Sequence, residues 1–179
     1  MKEIEIKARI TDFSIIEKKL KAIGCSFSVS INQYDEIFLP KGIVITNLPP
    51  NAIVLRIRKQ NDKFKFTLKK HLTGELDCIE KETEITNYQD FKDSLIIMDY
   101  YLSIVVSKQR IKTRFDNINI TLDDVEGLGK FIELEFLSED ENVDSIKIQR
   151  NLEEFLLKLE IDKIDIINDS YDVMLAKAK

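Results

Sequence analysis

The feature that most constrains the fold is a strict alternation of charged and apolar residues at the start of the chain. Glu3, Glu5 and Lys7 alternate with Ile4 and Ile6. Successive side chains of a β-strand point to opposite faces, so this spacing predicts a strand with one charged and one apolar face. The same alternation recurs in most later strands that the sequence predicts. A sheet with a charged face is therefore the main element of the expected fold.

The remaining chain alternates between predicted strands and helices, which indicates an α+β protein. Besides the first strand (1–10), extended segments are predicted over 25–39, 52–59, 63–70, 80–84, 103–115, 118–125 and 131–137. Helical periodicity and capping residues predict helices over 12–24, 87–99, 143–159 and 170–178. Residues 40–50 read as an exposed loop. We expect a single domain over 1–179.

Composition excludes several classes of function. The chain has 179 residues, 44% hydrophobic and 33% charged, with a net charge of −5. This balance gives no reason to expect nucleic acid or an anionic membrane as a partner. The first strand pattern starts at Glu3, and no apolar run approaches the roughly 18 residues that span a bilayer. We therefore expect a cytoplasmic protein.

Charges of one sign are grouped by strand. Some strands carry acid pairs and others carry basic pairs at positions i and i+2: Glu3/Glu5, Glu82/Glu84 and Glu133/Glu135 against Arg56/Arg58, Lys63/Lys65 and Lys108/Arg110. An open sheet with one solvated face also gives alternating charge. Segregated signs favour a closed barrel with a polar interior, in which bases bind a polyanion and acids bind divalent cations.

Motifs along nearly the whole chain resemble those of the CYTH superfamily, the triphosphate tunnel metalloenzymes. In chain order they are ExExK at 3–7, LRIR at 55–58, TLK at 67–69, the acids Glu80, Glu82 and Glu84, KxR at 108–110, LDDVEGLGxFxExE at 122–135 and Ser170-Tyr171. The resemblance implies an eight-stranded antiparallel β-barrel, forming a triphosphate tunnel with a polar lumen and with helices packed outside. It also implies Mg²⁺ or Mn²⁺ as the cofactor.

The resemblance assigns roles residue by residue. Metal-binding acids are Glu3, Glu5, Asp123, Glu133 and Glu135. Phosphate ligands are Lys7, Arg56, Arg58, Lys69, Lys108 and Arg110. Arg114 and Lys130 are added from no motif but from parity, the odd or even position that decides the face of a strand, and from proximity in sequence. The residues expected to be essential for catalysis are Glu3, Glu5, Lys7, Arg58, Glu133 and Glu135. Glu82 and Glu84 match tunnel acids whose role is less certain.

Two reactions fit these residues. One is hydrolysis of inorganic triphosphate or nucleoside triphosphates, and the alternative is a class IV adenylyl cyclase that forms cyclic AMP and pyrophosphate from ATP. Lys70-His71 stands where Gly-Pro often follows the lysine in cyclases, which favours hydrolysis. A thiamine triphosphatase and a non-catalytic polyphosphate or nucleotide binder rank lower. The expected partner is a small molecule such as inorganic triphosphate or ATP, and the resemblance implies a homodimer.

Phosphoryl transfer depends mainly on positioning and charge stabilisation, so no covalent nucleophile is expected. Glu5→Ala or Arg58→Ala should abolish turnover. Because both side chains would face the tunnel, little loss of folding is expected from either change.

Overall fold

The structure, a computed structural model, describes residues 2–74, 77–140 and 143–179, with side chains over 3–70, 79–140 and 143–179. It contains two compact units. The first unit comprises Met1–Ser30, Gln109–Val125 and Gly129–Asn168, and the second unit comprises Ile31–Lys108, Glu126–Leu128 and Asp169–Lys179. Among the described residues, no helix has both the length and the apolar character that crossing a bilayer requires.

The strands are β1 (Lys2–Ile10), β2 (Ile31–Pro40), β3 (Ile53–Gln60), β4 (Lys63–Gly74), β5 (Asp77–Ile85), β6 (Tyr100–Phe115), β7 (Ile118–Val125), β8 (Gly129–Ser138) and β9 (Ile166–Ile167). The helices are α1 (Phe13–Ala22), α2 (Tyr88–Ile97), α3 (Ser145–Lys158) and α4 (Tyr171–Lys177). Short 3₁₀ turns occupy Ile45–Asn47 and Lys163–Asp165.

The sheet of the first unit runs from the second half of β6 through β7, β8 and β1 to β9. β7 with β8, β8 with β1 and β1 with β9 are antiparallel. The apolar residues of these strands form a core with α1 and α3, centred on Ile6, Leu134, Leu20 and Leu156. Since side chains alternate along each strand, burial of this face turns the charged residues to the other face.

The second unit repeats this arrangement with a different helix. β5, β4, β3 and β2 are neighbours in that order, all antiparallel, and β2 adjoins β6. Phe38, Leu55 and Ile57 pack on the sheet against Leu95 of α2. Asn87 caps the start of α2 by accepting a hydrogen bond from the backbone N–H of Asp90. Arg56 and Arg58 of β3 lie on the face away from the helix, whereas Lys59 has the parity of the packed residues.

The predicted antiparallel sheet with helices packed on its apolar face is confirmed, whereas closure into a barrel stays a prediction. Several strand boundaries differ, and β4 and β5 extend to Gly74 and from Asp77. β2 begins at Ile31 rather than at residue 25. The residues before it make isolated hydrogen bonds to β6 in place of a regular strand ladder. For example, the backbone N–H of Ser28 donates to the carbonyl of Lys112 at 2.8 Å. β6 begins at Tyr100 rather than 103. The ninth strand, β9, has only two residues and therefore carries no readable alternation.

Candidate functional site

The second unit places two arginines on one face of β3. Arg56 and Arg58 are two residues apart, so their side chains share a face. β2 runs antiparallel beside β3 and sets Asp35 directly opposite Arg58. Asp35 accepts hydrogen bonds from Nε and Nη2 of Arg58, each at 2.6 Å. This bidentate pair holds the Arg58 guanidinium in one orientation.

Asp35 is a buried counter-ion, with 3% of its surface exposed. Burial alone raises the pKa of a carboxyl group. The hydrogen bonds from Arg58 and the charges of Arg58, Arg56 and Lys108 outweigh burial and hold the pKa of Asp35 below its usual value of 3.8. Asp35 is therefore ionised at neutral pH and compensates one arginine charge permanently.

Arg56 is held more loosely than Arg58. Its Nη2 donates to Thr67 Oγ1 at 3.1 Å, while carboxylate oxygens of Glu80 and Glu82 lie 3.7 and 3.6 Å from it. The Nε of Arg56 is buried and has no hydrogen-bond partner among the residues that the structure describes. Burial and the charge of Arg58 lower the pKa of Arg56, and nearby carboxylates offset this only in part. A bound anion would satisfy the buried donor and stabilise the charge.

Two lysines of β4 extend this cationic face and meet the acids of β5. Lys69 Nζ lies 3.0 Å from Glu80, and Lys65 Nζ lies 3.1 Å from Glu82. The Thr67 hydroxyl donates to Glu82 at 3.1 Å. Burial raises the pKa of Glu82, but hydrogen bonds from Lys65 and Thr67 and neighbouring positive charges bring it below the usual value. The β5 acids are thus counter-ions of the β4 cations.

Lys108 is buried in the part of β6 that belongs to the second unit. Its Nζ lies 4.9 Å from the ring centre of Tyr171, the first residue of α4. An ammonium group over an aromatic face is stabilised by the ring quadrupole. The charge of Lys108 also contributes to the low pKa of Asp35. Lys108 therefore adds a buried positive charge to the second unit.

In the first unit, neighbouring strands place acids and a lysine on one face. Lys7 lies opposite Glu133 and Glu5 lies opposite Glu135 in the register of β1 with β8. The Nζ of Lys7 is 3.7 Å from Glu133. Asn119 of β7 donates from its side-chain amide to Glu135 at 2.7 Å. The predicted sharing of a face by these charged residues is thus present in the structure.

Arg110 links the acids of the first unit. Its Nε donates to Asp123 at 2.6 Å, and its Nη2 donates to Asp123 and to Glu133, the latter at 2.5 Å. Thr121 donates its hydroxyl to Glu133 at 3.2 Å. Asp123 has no exposed surface. Both carboxylate oxygens of Asp123 accept from Arg110, so Asp123 positions this arginine as Asp35 positions Arg58.

The predicted metal-binding acids share a face without forming a compact cluster. Over the ranges that the structure describes, no three His, Cys, Asp or Glu side chains are grouped so as to hold an ion. Glu5 and Glu135 are direct neighbours across two strands, where like charges repel. Mg²⁺ and Mn²⁺ bind carboxylate oxygens and would offset this repulsion. Glu3, Glu5 and Glu135 therefore supply the oxygen ligands that such an ion prefers, although the structure does not gather their carboxylates around one point.

Arg114 and Glu84 lie in exposed positions, as Glu3, Glu5 and Glu82 also do. Arg114 is exposed on β6 and donates to the backbone carbonyl of Asp116 at 2.7 Å. The side chain of Glu84 is 73% exposed, and its ion pair with Lys63 spans 4.0 Å. Both share the parity of the site residues on their strands, but they lie where solvent screens their charge.

Lys130 lies on the other face of β8. Its parity is opposite to that of Glu133 and Glu135, and its Nζ is 5.3 Å from the ring centre of Phe13 in α1. Lys130 thus covers an aromatic residue on the face where the helices pack. This placement argues against its inclusion among the phosphate ligands, which rested on parity and proximity in sequence.

Charge patterning alone does not assign a role to Asp35, Thr67 or Glu36. Asp35 and Thr67 join the site through strand register, which a single strand's sequence does not reveal. Glu36 lies on the opposite face of β2, where Tyr88 and Lys92 of α2 bond its carboxylate at 2.8 and 2.6 Å. Glu36 therefore anchors α2 to the sheet.

Comparison with known proteins identifies one family. The CYTH domain family model matches residues 1–171. A Methanocaldococcus jannaschii protein named "Putative adenylate cyclase MJ0240" is 31% identical over 173 residues, which cover 96% of this chain and 97% of that protein.

Solved structures share the fold at lower identity. A "putative adenylate cyclase" of Vibrio parahaemolyticus is 20% identical with a TM-score of 0.81, covering 98% of each chain. The PH1819 protein of Pyrococcus horikoshii is 24% identical with a TM-score of 0.81, covering 99% of each chain. A Hippeastrum "putative adenylyl cyclase", described as having a dominant triphosphatase activity, is 20% identical with a TM-score of 0.65, covering 99% of this chain and 96% of its own.

Proposed function

Since the chain belongs to the CYTH domain family, we propose that it is a divalent-metal-dependent triphosphatase. Its substrates would be inorganic triphosphate or nucleoside triphosphates. Water would attack the terminal phosphorus, the bond from that phosphorus to the bridging oxygen would break, and the remaining diphosphate would leave.

The observation that carries this proposal is the arginine pair of β3. Arg58 is oriented by Asp35, and the buried Nε of Arg56 has no hydrogen-bond partner within the described part of the chain. Arginine binds phosphate oxygens bidentately, and a phosphate chain offers several such oxygens. Together with Lys69 and Lys108, the pair supports binding of an extended polyanion rather than a single carboxylate.

In the first unit, Lys7 and Arg110 would bind phosphate oxygens and neutralise the charge that develops during transfer. Arg110 is already oriented by Asp123 and Glu133, so its guanidinium needs little reorganisation before it acts. Preoriented donors of this kind are the main source of rate enhancement when a reaction spreads charge over phosphate oxygens.

Glu3, Glu5 and Glu135 would hold Mg²⁺ or Mn²⁺, with Glu133 and Asp123 nearby on the same face. A bound divalent ion supplies charge neutralisation at phosphate oxygens and lowers the pKa of bound water. The amide of Asn119 donates to Glu135 and so orients one of these carboxylates. Thr121 does the same for Glu133.

Adenylyl cyclisation is the second candidate, and the name of the Methanocaldococcus jannaschii relative favours it. In that reaction the ribose 3′-hydroxyl of ATP attacks the α-phosphorus and pyrophosphate leaves. The same cations would serve either reaction. The triphosphatase activity described for the Hippeastrum protein favours hydrolysis.

Product analysis distinguishes the two. The purified protein is incubated with inorganic triphosphate, ATP and thiamine triphosphate, in Mg²⁺ and separately in Mn²⁺. We expect orthophosphate from inorganic triphosphate at the highest rate. Cyclic AMP with pyrophosphate would replace the proposal by the cyclase, and fastest release from thiamine triphosphate would reassign the substrate. Binding without any product would make the protein a triphosphate sensor.

A further inference from the structure

The acids of β5 lie against two cations that we assign to phosphate, Arg56 and Lys69, and against Lys65 beside them. Glu80 contacts Lys69 at 3.0 Å, and Glu82 contacts Lys65 at 3.1 Å. Both carboxylates also approach Nη2 of Arg56, at 3.7 and 3.6 Å. Three cations thus share two carboxylates of one strand, β5, which offset their charge in part.

This arrangement follows from strand register. β4 and β5 are antiparallel, with Lys69 opposite Glu80 and Thr67 opposite Glu82. Because side chains alternate, the odd residues of β4 and the even residues of β5 come to the same face. The contacts are therefore built into the sheet and do not depend on a loop.

Glu80 and Glu82 differ from Asp35 in how firmly they are held. The side chain of Asp35 is 5% exposed and makes two short bonds to Arg58. The side chains of Glu80 and Glu82 are 27% and 40% exposed, and their distances to Arg56 exceed hydrogen-bond length. A glutamate with this exposure can rotate into solvent at small cost, whereas a buried bidentate aspartate cannot.

We propose that Glu80 and Glu82 are tethered competitors of the phosphate chain. They offset part of the charge of Arg56, Lys65 and Lys69 when no substrate is bound, give way to phosphate oxygens, and return as product leaves. Carboxylate and phosphate oxygens are interchangeable acceptors for Lys and Arg, so either anion satisfies the same donors. This inference rests on the proposed function. It adds that the two glutamates control the affinity for substrate and the release of product.

Competition of this kind weakens the binding of substrate and product together. It lowers occupancy by product without changing the groups that stabilise the transition state. Removing a competing carboxylate should therefore tighten the binding of both. A metal ligand or a substrate-binding residue would show the reverse, since its loss weakens binding.

The test is calorimetric titration of inorganic triphosphate in EDTA, followed by titration of pyrophosphate. The variants are Glu80→Gln, Glu82→Gln and the double variant, which keep side-chain size. Glu84→Gln is the matched control, because it removes the same charge from the same face of β5 at a site that pairs with exposed Lys63. We expect about three- to fivefold tighter binding for each single variant, about tenfold for the double variant, and a smaller change for Glu84→Gln.

Binding that is unchanged or weaker in Glu82→Gln and in the double variant overturns the inference while leaving the proposed function intact. An equal gain in Glu84→Gln overturns it as well, since net charge alone would then explain the effect. Failure of the unaltered protein to bind inorganic triphosphate, in EDTA and also in Mg²⁺, overturns both the proposed function and this inference.

Discussion

The guanidinium of Arg58 donates two hydrogen bonds of 2.6 Å to the buried carboxylate of Asp35. An intact buried ion pair adds little to stability, but removing one partner leaves a charge without compensation. Asp35 therefore determines both the orientation of Arg58 and the cost of replacing it.

Arg58→Ala should destabilise the protein by about 3–5 kcal/mol, because Asp35 would remain buried and unpaired. This differs from the expectation drawn from sequence, in which the change hardly affects folding. Adding Asp35→Asn should restore most of the free energy of unfolding without restoring turnover. Urea unfolding and orthophosphate release measure the two effects. Equal stability of the single and double variants would contradict the assigned pairing.

Stability should depend on pH through Asp35. Its pKa in the folded protein lies below the usual value of 3.8, so its ionised form stabilises the fold above that value, and the contribution is lost as the pH falls through the folded pKa. The difference in free energy of unfolding between the unaltered protein and Asp35→Asn should be constant above about pH 5 and shrink below about pH 4. Urea titrations at several pH values test this. A difference that persists undiminished at pH 3 would refute it.

The alternation in the sequence identifies the charged faces because two-residue periodicity is a property of the strand itself. Glu5 on β1, Arg56 on β3 and Glu135 on β8 all lie on the face that this period predicts. Lys130, added from parity and proximity in sequence, instead lies on the face of β8 where the helices pack. The type of each element, and the face on which its side chains lie, can thus be predicted from residues that are close together in the sequence.

Pairing between strands is not local. Asp35 meets Arg58, and Glu82 meets Thr67, because turns and core packing set the register of β2, β3, β4 and β5. A shift of one residue in the register of β2 with β3 would place Glu36 opposite Arg58. Arg58 would then lose Asp35 as its partner. The counter-ions of the arginines therefore become visible only in the folded structure.

Glu135→Gln should reduce metal affinity. The amide keeps the shape of the side chain but removes a charged oxygen ligand, so the affinity for Mn²⁺ should fall at least about tenfold. Mn²⁺ binding followed by electron paramagnetic resonance measures this directly. Glu139→Gln, at an exposed position just after β8, is the control. Equal affinity in both variants would exclude Glu135 from the metal site.

Lys130→Gln should retain turnover of inorganic triphosphate, because its ammonium lies over Phe13 on the packing face. The expected cost is a loss of stability of about 0.5–1 kcal/mol from the cation–π contact. The steady-state kinetics of Lys130→Gln are compared with those of Lys7→Gln, because Lys7 lies on the same face as Glu133. A KM for Lys130→Gln that rises as much as that of Lys7→Gln would return Lys130 to the phosphate ligands.

The most direct test of the account is orthophosphate release from inorganic triphosphate in Mg²⁺ by the unaltered protein, Arg56→Ala and Lys63→Ala. Arg56 has a buried donor that no described residue satisfies, whereas the side chain of Lys63 is 81% exposed at the start of β4 and carries the same charge. We predict turnover by the unaltered protein, a loss of about 100-fold in kcat/KM for Arg56→Ala, and nearly full activity for Lys63→Ala. No release by the unaltered protein, or equal activity of the two variants, would contradict the account.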